Sequence, residues 1–453
     1  MTEPNFDGGA IRAFRFLDCR FDAATGEARL AYAFDDGPRL VEVVRYPNAP
    51  YTLTPKRAYA VQRALRLLHF VAGVSYYKAA VPPSIEVDGE PIDATMAAFL
   101  QDLYENGLGE FAYRNGLSLR GRIVFPHGKA AAEQAPALGL RPQALVAIGG
   151  GKDSLVSIEA LRRAGVAQTA SWIGASPLIR TCAERTGLPL LNIGRSLAPE
   201  LFEFNKQGAL NGHIPVTAVN SAILALAAVL EDTAMVVFSN EHSSSYGSLI
   251  PGTGEVNHQW SKGWSFERGF AALLRAQVAA DLDYFSLLRP FSELAVARQF
   301  ARTDHYDAHF SSCNRNFHLL GERPAQRWCG VCPKCRFVFL ALAPFMPKPR
   351  LMGIFGRNLL DEADQAPGFD ALLEFQDHKP FECVGEGKES RAAMAALAAN
   401  ASWREDALVA RFARDIQPLL DPEELRLAPL LEASDDHAIP PTLQGPVLEN
   451  FRA

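Results

Sequence analysis

At 453 residues, with 48% apolar and 21% charged side chains, the chain can build more than one core and is too apolar for a disordered protein. A formal net charge of -6 spreads no basic field over the molecule, which argues against general nucleic-acid binding. The opening Met1-Thr2-Glu3-Pro4-Asn5 lacks the basic and apolar stretches of a signal peptide, and no apolar run is long enough for a membrane span. A cytoplasmic protein with neither nucleic-acid nor membrane partners is expected.

The first 55 or so residues alternate apolar and polar positions over Ile11 to Leu17, Ala28 to Phe34 and Leu40 to Val44, separated by turn residues. They read as an antiparallel meander. A helical period follows from Lys56 to about Ala80, a hairpin turning at Asp88-Gly89 is expected over Ser84 to Ile92, and Asp93 is placed to cap a helix running to about Asn106. From about residue 140 strands and helices alternate, the signature of a parallel sheet wrapped by helices. Strands are expected at Ala144 to Ile148, Ala170 to Ile173, Leu188 to Ile193 and Met235 to Ser239, with helices over Pro177 to Thr186 and Asn220 to Leu230. Pro347-Lys348-Pro349 marks a boundary, beyond which helices are expected around Ser390 to Ala399 and Trp403 to Ile416. The chain thus divides into an N-terminal α+β region (1–139), an α/β domain (140–346) and a C-terminal helical region (347–453).

Between the strand at Ala144 to Ile148 and the next helix lies Gly149-Gly150-Gly151-Lys152-Asp153-Ser154. Three glycines let the chain adopt positive φ and expose successive N–H groups to an anion at the positive end of a helix. Lys152 adds a charge and Ser154 a hydroxyl, while Asp153 beside a phosphate pocket argues for a metal or for loop architecture. The spacing matches neither the Walker motif nor the dinucleotide fingerprint.

Two polar stretches follow the carboxyl ends of expected strands: Asn211 to Ser221, containing His213, and Ser239 to Lys262, containing His242, His258 and Lys262. The second has too many hydrogen-bonding side chains to pack a core and too many aromatics for a linker, so it reads as a substrate loop. A solvated surface loop, with each histidine a satisfied polar residue, is the plainer reading.

Cys329-Gly330-Val331-Cys332-Pro333-Lys334-Cys335, with Cys313 sixteen positions upstream, has spacing that lets thiolates converge on one ion. Closing the tetrahedron with Cys313 would give a structural zinc site. A redox dithiol or three unrelated thiols are the alternatives. Cys19, Cys182 and Cys383 are expected to be small core residues.

The glycine loop resembles the PP-loop of the ATP pyrophosphatase superfamily, Ser-Gly-Gly-Lys-Asp-Ser, with Gly149 replacing the first serine. That resemblance implies a HUP-like parallel sheet with helices on both faces and ATP, with magnesium, held by Gly149, Gly150, Gly151, Lys152, Asp153 and Ser154. The cysteine stretch is similar to the zinc-binding end of the 7-cyano-7-deazaguanine synthases. A closer likeness is to the ATP-dependent UDP-N-acetylmuramoyl-L-alanyl-L-glutamate epimerases, carried by the glycine loop, Asn211 to Thr217, Asn257 to Lys262 and the Cys-x-x-Cys-x-x-Cys knot. It implies a UDP-muramoyl dipeptide as substrate, an acyl-adenylate, and release of AMP and pyrophosphate during peptidoglycan precursor synthesis. Lys152 and Asp153 would serve ATP cleavage, while His213, His242, His258 and Lys262 are the candidates for moving the α-proton. Another PP-loop enzyme, such as a deazaguanine synthase or a tRNA-modifying enzyme, and a nucleotide-binding regulator without turnover are the alternatives.

Overall fold

The computed structural model describes residues 6–129, 134–250, 254–317, 324–375 and 379–452. The expected meander forms from β1 (Ala13–Asp22), β2 (Glu27–Phe34) and β3 (Leu40–Arg45), paired antiparallel in chain order. The helix Pro55–Ala72 starts where the Thr54 hydroxyl accepts from the Arg57 N–H and Pro55 occupies the first turn, where no N–H partner is needed. It ends at Ala72 and a short helix, Val74–Tyr77, follows; at Gly73 between them the chain passes β1 so closely that a Cβ would lie 2.4 Å from the Phe16 ring. Ser84 to Ile92 does not form the expected hairpin. Instead β4 (Ser84–Val87) pairs parallel with β1, with the preceding helix as the crossover that a parallel pair requires. Asp93 caps the helix Ala94–Gly107 by accepting from Met96 N–H at 2.9 Å.

The central strands are β5 (Arg141–Ala147), β6 (Gln168–Ile173), β7 (Leu190–Ser196) and β8 (Thr233–Phe238). A two-stranded ribbon of β9 (Ser248–Ile250) and β10 (Gly254–Val256) precedes β11 (Asp283–Ser286). The sheet order is β11-β8-β5-β6-β7-β3-β2-β1-β4. The five strands from β11 to β7 are parallel, as expected. The meander is not a separate sheet: β3 pairs antiparallel with β7, Val43 opposite Ser196, so the nine strands form one mixed sheet.

Alternation along the strands fills two cores. Leu145 and Val236 enter one with the helices Pro55–Ala72, Val216–Leu230 and Trp264–Gln277. Ala144, Val146, Met235 and Val237 enter the other with the helices Lys152–Arg163, Glu293–Ala301 and Pro333–Leu342 and with much of the chain beyond Leu351. That last part is helical, as expected, although the helix anticipated from Trp403 begins only after Asp406, as Ala407–Arg411. Among the described residues no helix is long and apolar enough to cross a membrane.

The chain runs β5, β6, β7 to one side and then returns to place β8 on the other side of β5. The strand order therefore reverses between β5 and β8, and the crevice beyond their carboxyl ends is where open parallel sheets bind ligands.

Candidate active site

A cavity of about 320 Å³ occupies that crevice. Gly149, Gly151, Asp153 and Ser154 line it after β5, and Ser239 and Asn240 after β8. Gly150 takes φ 82°, a left-handed turn that a side chain would resist, and Gly151 opens the helix Lys152–Arg163 with no side-chain cap. The first N–H groups of that helix are therefore free of capping side chains at the cavity wall. A Cβ on Gly151 would lie 2.5 Å from Ser312 Oγ, so any other residue there would have to turn that hydroxyl aside. Trp172, Ile173, Ile179 and Leu224 make an apolar wall opposite the polar end.

Lys152 does not line the cavity. Its ammonium is buried beneath the floor, paired with Asp153 and with buried Glu293 from the helix Glu293–Ala301. Lys334 lies 3.5 Å from the other oxygen of Glu293 and does face the cavity. Burial pushes the Glu293 carboxyl up, but Lys152 and Lys334 outweigh it and hold the group at about 2. For nearby Glu241, burial, with Glu293 and Asp153 close by, outweighs Lys262 and Lys334 and pushes the carboxyl up to about 7.

Lys334 projects from the cysteine knot. The sulfurs of Cys313, Cys329, Cys332 and Cys335 all lie within 4.8 Å of one another, with Cys329 and Cys335 at 3.7 Å. Four sulfurs about 2.3 Å from a zinc ion at a tetrahedron's centre would stand about 3.8 Å apart, so the set fits a closed structural site with Cys313 as the fourth ligand. The N–H groups of Val331 and Cys332 point at Cys329 Sγ and that of Cys335 at Cys332 Sγ, which suits thiolates. The knot is tied to the glycine loop: Ser311 N–H donates to Gly150 O at 2.8 Å, and Ser312 and Asn314 line the cavity.

At the other end, Lys262 Nζ donates to Cys383 Sγ at 3.1 Å, and both residues line the cavity. His258 stands close enough to Cys383 for each to act on the other's charge, and its Nδ1 meets Glu110 Oε2. Glu110 is braced by Arg114 at 2.5 Å. Burial would suppress the charge on His258, but Cys383 and Glu110 outweigh it and raise the imidazole to about 9. Burial likewise opposes the thiolate, but Lys262 and His258 bring Cys383 down to about 5. The ammonium of Lys262 at 3.1 Å and the imidazole of His258 thus both favour the thiolate form of Cys383. The His213 ring is 4.2 Å from that of His258, and burial, with the charge on His258, lowers it to about 4, so it is neutral.

Lys262 is held by a buried ion pair. Arg289 bonds Glu267 at 2.9 Å and donates to the carbonyls of Lys262 and Glu241 and to Ser244 Oγ, locking two loops together. The chain after residue 379 closes the same region, with Ser243 Oγ donating to Glu389 at 2.6 Å.

Of the expected residues, the glycine loop, Asp153, Ser154 and Lys262 are brought to one cavity, with His213 and His258 in a cluster behind Cys383. His242 stands apart: its side chain is exposed, and only its backbone N–H is engaged, by Phe291 O. Cys383 is no core residue, since it lines the cavity with the Lys262 ammonium 3.1 Å from its sulfur. Glu293, Glu110 and Lys334 were not foreseen; a lysine held between two knot cysteines was the one available signal.

Two family models match the chain, that of the MurL N-terminal domain over residues 5–287 and that of the MurL C-terminal domain over residues 309–426. A protein of Xanthomonas oryzae pv. oryzae named UDP-N-acetyl-alpha-D-muramoyl-L-alanyl-L-glutamate epimerase is 70% identical over 446 residues, covering 98% of this chain and 99% of its own. Proteins of the same name from Salinispora tropica and a Micromonospora species are 44% and 42% identical, covering 90% and 97% of this chain and 89% and 98% of theirs.

Proposed function

The chain belongs to the MurL family, and from that premise we propose that it is an ATP-dependent epimerase that inverts the terminal L-glutamate of a UDP-N-acetylmuramoyl-L-alanyl-L-glutamate. The α-hydrogen of a free carboxylate is very weakly acidic, because its removal would create a dianion. Transfer of AMP from ATP to that carboxylate, with loss of pyrophosphate, cancels the charge and makes the α-carbon acidic enough for a protein base. Reprotonation on the opposite face and hydrolysis then give the D-epimer and AMP.

The observation that carries this reading is the single cavity joining an uncapped helix N-terminus and Lys334 to a proton-transfer cluster at Lys262 and Cys383. The first end suits phosphates, and the apolar wall with Trp172 suits a base. Asp153 would meet the magnesium that accompanies ATP. Zinc would be held by Cys313, Cys329, Cys332 and Cys335, where it supplies no chemistry but fixes Ser311 and Ser312 against the glycine loop. As a PP-loop enzyme of this kind the protein works on soluble precursors in the cytoplasm.

The test is incubation of the purified protein with magnesium-ATP and the L-glutamate substrate in deuterated water. Release of AMP and pyrophosphate together with a D-epimer deuterated at the α-carbon is expected. Epimer formed without ATP, or pyrophosphate that appears only with a different carboxylate, would overturn the reading.

A further inference from the structure

Three thiols outside the knot have different surroundings. Cys19 is half-buried and burial pushes it up to about 11, and Cys182 is buried and pushed up to about 12. Only Cys383 reaches the cavity that holds the glycine loop, and it does so with a lysine ammonium 3.1 Å from its sulfur. A thiol that merely filled space would not need a buried Glu110–His258 pair behind it as well.

Resting on the epimerase reading above, we propose that Cys383 is the base that removes the α-proton from the activated glutamate, with Lys262 and His258 as its positioning residues. The sulfur forms an S–H bond as the Cα–H bond breaks, and the bonding pair moves into the adjacent carbonyl to give the enolate of the acyl-adenylate. A proton of solvent origin enters on the opposite face as that pair returns to carbon.

The arrangement has the parts such a base requires. Thiolate character comes from two cations, one of which, His258, is fixed by Glu110 and Arg114, and the other, Lys262, by a loop locked through Arg289. When the sulfur takes a proton it loses its charge while both cations remain, a field that favours the enolate's negative charge over the ground state. His213, being neutral, adds no competing positive charge beside His258. The thiolate exists before substrate arrives, so no further group has to take a proton first.

The experiment compares wild type with Cys383→Ser and Cys383→Ala, measuring pyrophosphate release and D-epimer formation separately in deuterated water. Serine keeps the size and loses the acidity, and alanine removes the atom. Both variants are expected to release pyrophosphate within a few-fold of wild type, showing an intact fold and adenylation site. D-epimer should fall by at least about 10²-fold, the contribution of a positioned base. The L-substrate recovered from either should carry no deuterium. In wild type at early turnover, label should be confined to the D-epimer, because a thiol carries one hydrogen and hands the original back on internal return. Wild-type L-substrate that gains label early would instead point to the Lys262 ammonium, whose three hydrogens exchange, and would overturn the assignment. So would a variant that epimerises at the wild-type rate, one whose pyrophosphate release falls as far as its epimer formation, or acid-quenched wild type carrying the acyl group on Cys383, which would make the sulfur a nucleophile. For the positioning residue, Lys262→Arg is expected to restore part of the epimer yield lost in Lys262→Met while neither changes pyrophosphate release more than a few-fold. If wild type itself releases no pyrophosphate with this substrate, the epimerase reading fails and takes this assignment with it.

Discussion

Replacing Lys152 by methionine should unsettle the fold before it says anything about phosphate. Glu293 is 1% exposed, and of the two ammonium groups beside it only Lys334, at 3.5 Å, would remain. Holding its carboxyl at about 2 against an ordinary 4.5 is worth about 3 kcal/mol at about 1.4 kcal/mol per tenfold change in proton affinity. Breaking one side of a buried ion pair costs about 3–5 kcal/mol by mutational precedent, and the surviving Lys334 puts this case near the lower end. A carboxyl depressed in the folded state contributes stability that is complete above its unfolded value and is lost as the pH falls through the folded one. Wild type should therefore weaken from pH 4.5 toward 2. In Lys152→Met the stranded carboxylate of Glu293 is relieved by protonation, so the gap to wild type should be about 3 kcal/mol at pH 7 and should narrow on acidification to pH 4.5. Urea denaturation followed by tryptophan fluorescence measures both, and Lys152→Met combined with Glu293→Gln should recover most of the loss. A single variant within about 0.5 kcal/mol of wild type at pH 7, or a gap that does not change with pH, would refute the pairing as the source of stability.

Gly151→Ala should weaken nucleotide binding, since the new Cβ would sit 2.5 Å from Ser312 Oγ, and Ser312→Ala on top of it should restore part of the affinity in a titration with ATP; no rescue would mean the two do not compete for space. Anaerobically purified protein should hold one zinc, and Cys332→Ser should lose it along with thermal stability. A zinc-free protein of unchanged melting temperature would rule out a structural ion. Glu267→Gln should leave Arg289 with a weaker partner and loosen the loop at Lys262; amide exchange faster at Ser243 to Ser245 and Lys262 than elsewhere would report it, and uniform exchange would contradict the lock.

The parts of this site that could be read from the sequence are those whose residues are neighbours in the chain. Gly149 to Ser154 and Cys329 to Cys335 carry their geometry in their spacing, because one turn or one knot is formed locally. Cys313 is sixteen residues away and needed only convergence on the same tetrahedron. Glu110, Glu293 and Cys383 belong to three distant segments that meet only through tertiary packing, and an isolated carboxylate or thiol has no period to betray it. Cys383 reads as one of three scattered thiols in strand-like or helical contexts, for which a small core residue is the simplest assignment. The joined sheet was hidden for a similar reason: pairing of Val43 to Arg45 with Gly194 to Ser196 depends on which edge of the parallel strands is left free, and that is a property of their order.

That single sheet has a further consequence for how the molecule can be divided. Residues before about 288 supply all nine strands and one covering layer, while most of the opposite layer, from Leu294 through Phe451, comes afterwards. A nick between Leu287 and His309 would thus give a sheet with Ala144, Val146, Met235, Val237 and Phe285 largely uncovered, and a helical fragment without the sheet face on which its core is completed. The halves should be insoluble or unfolded when produced alone, yet should reconstitute when produced together, as a pair of polypeptides that have no independent existence.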